Sequence, residues 1–293
     1  VYRPKSSAPA PIIVWIHGGA LIGGSRSWTH PVARDLLTEK GFAQISIDYR
    51  LAPETKLPDI IDDIREAFRS IREALPKQCN INPTRVGVIG GSAGGYLALM
   101  TGFAITARPK ALVSLYGYGD IAGPSYSEPD PFYCRQPLVS EEEARSAVGD
   151  VEISETHRNG PDRFRFYLWC RQHGHWPREI MGLDPKTHAA AFTPYCPERN
   201  ITRDYPPTLL LHGDADTDVP YERSVDMAKK LADAGVEHKF ITIENGPHGF
   251  DGQIKQKDWP AKKDTEIGKA PPALGGWMLR HEETRAAQSV RRP

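Results

Sequence analysis

Neither sign of charge is in excess in this sequence: 37 Lys and Arg stand against 37 Asp and Glu, so the formal net charge is zero. That removes the electrostatic basis for holding nucleic acid or an anionic membrane. No apolar run approaches the length needed to span a bilayer. The opening residues, VYRPKSSAPAP, contain no apolar signal core. Cysteine is sparse, and Cys79, Cys134, Cys170 and Cys196 are scattered without a C-x-x-C pair. This argues against a cysteine zinc site and against a disulfide framework. His173 and His175 lie near Cys170, but their spacing fits no standard metal site. An initiator Met is also lacking, and the chain begins on what reads as the tail of a strand. Truncation and a removed signal peptide therefore stay open, and Asn200-Ile201-Thr202 matches a glycosylation sequon. The default expectation is the reducing cytosol, with secretion left open. A small molecule is the expected partner, and a homodimer is the one macromolecular assembly left to test.

What is present is a rhythm. Short, nearly all-apolar runs recur: IIVWIHG (Ile12 to Gly18), AQISIDY (Ala43 to Tyr49), RVGVIGG (Arg85 to Gly91), ALVSLYG (Ala111 to Gly117), TLLLHG (Thr208 to Gly213) and KFITIE (Lys239 to Glu244). Each is too short for a helix and reads as a strand buried on both faces. Between them lie longer amphipathic stretches. In one, Ile60, Ile64, Ala67, Phe68 and Ile71 share a helical face. Alternating strands and helices predict an α/β fold, a mostly parallel central sheet flanked by helices. Residues 121–205 break the rhythm, with no convincing buried strand. They hold helical pieces, a Ser140/Glu143 capping-box pattern and many aromatics, and they read as an inserted helical cap over the sheet. The core is then expected in residues 1–120 and 206–256. Residues 257–293 form a tail rich in Lys, Pro and Gly that gives poor support to the last helix the pattern calls for.

Gly90-Gly91-Ser92-Ala93-Gly94 fits G-x-S-x-G between a predicted strand and a predicted helix. A nucleophile at a strand end must turn sharply into the helix, and glycines two before and two after let neighbouring elements pack close. A serine hydroxyl needs a base to take its proton and an acid to orient that base. The order should be serine, acid, histidine, each at a later strand end. LLLHGDADTDVP supplies the acid, with Asp214, Asp216 and Asp218 as candidates, and ITIENGPHGF supplies His248. An oxyanion also needs backbone N–H groups aimed at it. HGGA, His17 to Ala20, follows the first strand, and the N–H of Ala93 follows the nucleophile.

These motifs together resemble the α/β-hydrolase superfamily, and within it the hormone-sensitive-lipase-like carboxylesterases. HGGA is similar to their HGGG, DYRLAPE (Asp48 to Glu54) to their strand-end signature, and GGSAGG to their GDSAGG. The resemblance covers most of the stretch from Pro11 to Phe250 apart from the insertion. Two departures stand out: Ala20 replaces the third glycine, and HGDADTDVP resembles the HGxxDxxVP loop of feruloyl-esterase-like and prolyl-oligopeptidase-like hydrolases. In that loop the acid is the Asp three residues after the glycine, which implies Asp216. The resemblance further implies oxyanion donors at Gly19, Ala20 and Ala93. It makes His17 and His212 structural, and Asp48 and Arg50 organisers of the loops. The expectation is a serine esterase with catalytic Ser92, Asp216 and His248, working through an acyl-enzyme and needing no metal or organic cofactor. Two rivals are kept: the same triad on amide bonds, as in acyl-aminoacid peptidases or arylformamidases, and an inactive hydrolase-fold binding protein.

Overall fold

The computed structural model describes the chain except residues 157–159, 254, 259–260, 262, 266 and 290–293. Six strands form one sheet: β1 (Ala10–Ile16), β2 (Ala43–Ile47), β3 (Ile81–Gly91), β4 (Ala111–Leu115), β5 (Thr208–Gly213) and β6 (His238–Ile243). Their order is β2-β1-β3-β4-β5-β6, and every neighbouring pair runs parallel. Parallel strands need helical crossovers, and helices on both faces explain why these strands are apolar on both sides. Val14, for instance, is level with Ile45 on one side and Val88 on the other. Because all the strands point one way, their C-terminal ends share a single edge of the sheet.

The helices are α1 (Pro31–Glu39), α2 (Leu57–Glu73), α3 (Ala93–Ala104), α4 (Pro124–Ser127), α5 (Glu141–Ser146), α6 (Phe164–His173), α7 (Trp176–Met181), α8 (Ala189–Phe192), α9 (Glu222–Asp233) and α10 (Ala270–Ser289). One face of the sheet packs against Ile60, Ile64 and Phe68 of α2, Leu97 of α3 and Leu231 of α9. Full burial of side chains of this size is worth about 1.5–3 kcal/mol each. The opposite face packs against Ala33 and Leu37 of α1 and Leu274, Trp277 and Met278 of α10.

Helix α10 differs from the sequence expectation of a weakly supported tail. Its two prolines, Pro271 and Pro272, fall in the first turn, where backbone N–H groups have no intrahelical partner to lose. Ala270, Leu274, Trp277, Met278 and His281 then lie on one stripe, and all are buried. The sheet makes room for them at Gly87, where an added Cβ would stand 2.7 Å from the Met278 sulfur.

Between β4 and β5 the chain forms only α4 to α8 and short 3-10 turns, with no strand among the described residues. Ser140 and Glu143 form both bonds of a capping box at α5. The aromatics of this stretch are mostly core. Tyr118, beyond β4, stacks on Tyr96 of α3 at 5.0 Å and meets Tyr126 and Trp176 at 5.2 and 5.7 Å. The Trp176 indole N–H donates to the Ala20 carbonyl at 2.9 Å. The segment is thereby fastened over the loop that follows β1.

Candidate active site

Strand β3 ends at Gly91 and α3 begins at Ala93, leaving Ser92 alone in the turn. Its backbone sits at φ 56°, ψ −125°, a region costly for a residue with a Cβ and one concentrated at functional sites. Two glycines make so tight a turn feasible. A Cβ on Gly90 would lie 2.1 Å from the Gly94 carbonyl oxygen, and one on Gly94 would lie 2.1 Å from the Ile16 oxygen. The turn is pinned where the Ser92 N–H donates to the Leu115 carbonyl at 2.9 Å.

Three predicted side chains meet at the C-terminal edge. His248, in the loop after β6, places Nε2 3.0 Å from Ser92 Oγ and Nδ1 2.8 Å from Asp216 Oδ2. A carboxylate oxygen only accepts, so the Nδ1–H tautomer fits, and it leaves Nε2 to accept from the serine hydroxyl. The Asp216 side chain is fully buried in the loop after β5. Its Oδ1 accepts from the N–H groups of Asp218 and Val219, both at 2.9 Å. His212 Nε2 stands 3.2 Å from its Oδ2. Burial alone would raise the Asp216 pKa, but the hydrogen bonds from His212, His248 and the loop amide outweigh it and hold the carboxyl well below its usual range. For His248, burial opposes the charged form. The Asp216 hydrogen bond and the charges of Asp218, Asp216 and Asp251 prevail together, so its pKa lies above the ordinary 6.5.

The other two acids of that loop stand elsewhere. Asp214 Oδ1 accepts from the Asn245 N–H at 2.6 Å. Asp218 Oδ2 approaches His248 Nε2 at 3.2 Å, on the side facing the serine rather than the side facing Asp216.

The loop after β1 passes close to the nucleophile: a Cβ on Gly18 would lie 3.2 Å from the Ser92 Cβ. Gly19, Ala20 and Leu21 all have positive φ, at 104°, 57° and 64°. The turn closes where Ile22 and Gly23 donate to the Gly19 carbonyl, both at 2.9 Å. Among the described residues no carbonyl outside the regular elements takes up the N–H groups of Gly19, Ala20 or Ala93. Gly19 and Ala20 line the same cavity as Ser92, while Ala93 is fully buried at the start of α3.

His17 stacks on Tyr49 with ring centres 4.3 Å apart and holds the Gly18 carbonyl through Nδ1 at 2.8 Å. His212 meets the Ser224 hydroxyl at 2.7 Å and the Val219 carbonyl at 3.0 Å beneath the acid loop. Asp48 pairs with Arg26 at 2.9 Å, and Arg50 pairs with Asp63 and Glu152 at 2.9 and 3.0 Å. None of His17, His212, Asp48 and Arg50 lines the cavity. The His173 and His175 rings stack at 5.6 Å, and among the described residues no three His, Cys, Asp or Glu side chains converge as a metal site.

The cavity over Ser92 and His248 measures about 1080 Å³. The stretch between β4 and β5 contributes Tyr133, Thr156, Arg163, Phe164 and Tyr167 to its wall. Sequence reasoning missed three supports. The Tyr116 ring stands edge-on to His248 at 4.8 Å, and its hydroxyl donates to Asp251 Oδ1 at 2.5 Å. Arg163 reaches Ile22 and Ala52 carbonyls, both at 2.6 Å, and both oxygens of Glu54 at 2.7 and 2.6 Å. Glu54, in the DYRLAPE signature, was a signal that some cation must meet it, though nothing pointed to Arg163. The third support, the Tyr133 and Tyr167 hydroxyls and Arg171 Nη1 donating to Asp218 Oδ1, carried no signal at all.

A serine at a strand–helix turn, joined to a histidine and an acid from later strand ends of a parallel sheet, defines a hydrolase layout built on alternating β and α units. The chain belongs to the alpha/beta hydrolase fold family, whose profile matches residues 13–252. It is 28% identical to the non-reducing polyketide synthase ascC of Acremonium egyptiacum over 92% of this chain and 14% of the synthase. It is 27% identical to the esterase LipC of Mycobacterium tuberculosis over 86% of this chain and 56% of LipC. The chain thus spans only a small part of the synthase and a little over half of LipC. Among solved structures, an acetyl ester-xyloside bifunctional hydrolase from Caldicellulosiruptor lactoaceticus superposes with a TM-score of 0.65 at 21% identity, covering 95% of this chain and 86% of that one. No helix among the described residues is long and apolar enough to cross a membrane.

Proposed function

We propose that this chain is a serine hydrolase that cleaves carboxylic esters through an acyl-enzyme on Ser92. One observation carries the reading: the unbroken hydrogen-bond line from Ser92 Oγ to His248 Nε2, and from His248 Nδ1 to Asp216 Oδ2, at 3.0 and 2.8 Å. Membership of a hydrolase fold family and similarity to a protein named an esterase support it.

In this mechanism Nε2 of His248 takes the hydroxyl proton as Ser92 Oγ attacks the ester carbonyl. Asp216 keeps the imidazole in the Nδ1–H tautomer and stabilises the imidazolium. The N–H groups of Gly19, Ala20 and Ala93 receive the developing oxyanion. The imidazolium gives its proton to the leaving alkoxide, an alcohol departs, and His248 then activates water to release the acid. The segment between β4 and β5 acts as a cap that shapes the cavity and sheds water from it.

Substituting Ser92→Ala should abolish hydrolysis of short p-nitrophenyl esters with the circular dichroism spectrum unchanged. Retained turnover in that variant would sink the proposal. A fluorophosphonate should label Ser92 in the wild-type chain, whereas an inactive binding protein would stay unlabelled. Matched ester, amide and formanilide substrates separate the esterase from the amidase versions of the same triad, and the ester should react fastest.

A further inference from the structure

One carboxylate beside the nucleophile exchanges no proton and meets no substrate atom in that mechanism, although its charge helps raise the His248 pKa. Asp218 lines the cavity, and its Oδ2 lies 3.2 Å from His248 Nε2, the nitrogen that also meets Ser92 Oγ at 3.0 Å. Its other oxygen, Oδ1, is occupied by three donors: the Tyr133 hydroxyl at 2.8 Å, the Tyr167 hydroxyl at 2.5 Å and Arg171 Nη1 at 3.0 Å. Arg171 is itself only 1% exposed, and its other arm pairs with Asp130 at 2.5 Å. These partners all belong to the stretch between β4 and β5, so the Asp218 side chain is clamped from across the cavity.

The clamp fixes direction. With Oδ1 saturated, Oδ2 is the oxygen presented beside the reacting atoms. Among the described residues only the imidazole reaches it, and Nε2 of the neutral tautomer offers a lone pair rather than a proton. After Ser92 attacks, the proton on Nε2 belongs to the leaving oxygen. While Nε2 carries no proton, Oδ2 is an acceptor that faces the cavity, its side chain 16% exposed and open to water. A substrate that displaces that water leaves the oxygen satisfied only by supplying a donor of its own.

Position identifies which part of the substrate. The leaving oxygen must come to Nε2 to receive its proton, and Oδ2 is about one hydrogen-bond length from Nε2. Two oxygens on adjacent carbons are separated by about that same length. An ester oxygen at Nε2 therefore brings a hydroxyl on the neighbouring carbon of the alcohol to Asp218. Arg163 and Lys255 line the cavity together with Asp162 and Asp251, so the wall's charge does not select the donor, and the spacing to the leaving oxygen matches a neighbouring hydroxyl.

We propose that Asp218 is a specificity-determining residue that accepts a hydrogen bond from a hydroxyl vicinal to the scissile ester oxygen. The preferred substrates are then monoesters of vicinal diols or polyols. The hydroxyl keeps its proton throughout, so no covalent step is added. The inference deepens the serine-esterase reading and rests on it.

The test compares kcat/KM for trans-2-hydroxycyclohexyl acetate, 4-hydroxycyclohexyl acetate and cyclohexyl acetate, at a pH where His248 is neutral. Wild-type protein should favour the 2-hydroxy ester over the other two by about ten- to a hundred-fold, the worth of one hydrogen bond to a charged acceptor. In Asp218→Asn the three clamping donors take the single amide oxygen and turn the NH2 toward the cavity. The acceptor becomes a donor, and the preference should collapse to within a few-fold of unity. Equal wild-type rates on the 2-hydroxy and 4-hydroxy esters would overturn the inference without any variant. A preference that survives in the Asn variant would overturn it as well. In both cases continued hydrolysis of cyclohexyl and p-nitrophenyl acetates leaves the esterase reading standing. No turnover of any ester, together with no fluorophosphonate labelling of Ser92, removes both.

Discussion

His248 is held between opposing influences, and its chemistry makes them measurable. Burial disfavours the imidazolium, yet the Asp216 hydrogen bond and the surrounding carboxylates raise its pKa above 6.5. A general base must be neutral to act, so kcat/KM for a p-nitrophenyl ester should climb with pH along a single titration whose midpoint lies above 6.5. Asp216→Asn should lower that midpoint and cut kcat by about 10³- to 10⁴-fold, because the imidazole loses its orienting partner. The linkage to stability has the opposite sign for the two groups. The raised His248 stabilises the fold below its unfolded pKa, and that contribution is lost as pH rises through the folded value. The depressed Asp216 stabilises the fold above the usual carboxylate range, and its share is lost as pH falls through its folded value. At this scale the sequence was partly legible. Ser92 and His248 stand in motifs at strand ends, where order along the chain predicts proximity in space. The choice among Asp214, Asp216 and Asp218 was not legible from physics, because all three share one short loop. What distinguishes Asp216 in the structure is the pair of loop amides on Oδ1 and His212 below Oδ2, contacts that composition does not reveal.

Among the elements, two attachments lend themselves to measurement. Helix α10 covers the α1 face of the sheet, and Leu274 on it is 2% exposed. Leu274→Ala should cost about 2–5 kcal/mol, read from the shift of a urea denaturation midpoint at constant slope. The second attachment is Arg163, whose ion pair with Glu54 is almost wholly buried. Replacing it with Met leaves Glu54 and two carbonyls without their cation. About 3–5 kcal/mol should be lost by the same measurement, and turnover should fall even in protein that remains folded. The strands were readable because burial on both faces writes itself as short apolar runs. Helix α10 was not, since two prolines and Gly275 and Gly276 weaken its propensity, and packing against the sheet overrides that preference.

For the molecule as a whole, cysteine gives a convenient gauge of integrity. Cys134 is exposed, whereas Cys170 and Cys196 are buried. Burial pushes the Cys196 thiol up to about 12 and the Cys170 thiol well above its ordinary value. Because the thiolate is the reactive form, iodoacetamide should modify Cys134 quickly and leave Cys170 and Cys196 untouched until the chain opens. Mass spectrometry of a denaturant series should show those two alkylated together, at the midpoint of the circular dichroism transition. Early modification of Cys170 alone would mean that α6 detaches before the sheet unfolds.

The Arg163 anchor has a wider consequence. The same guanidinium that fastens the stretch between β4 and β5 also grips the carbonyl of Ile22, next to the turn that carries Gly19 and Ala20. Lifting that stretch away from the sheet therefore pulls on the backbone facing Ser92. On the proposed mechanism, a chain with this anchor broken would lose the placing of its oxyanion donors along with its enclosure. On that mechanism, fluorophosphonate labelling of Ser92 and enclosure of the cavity should therefore fall together in Arg163→Met.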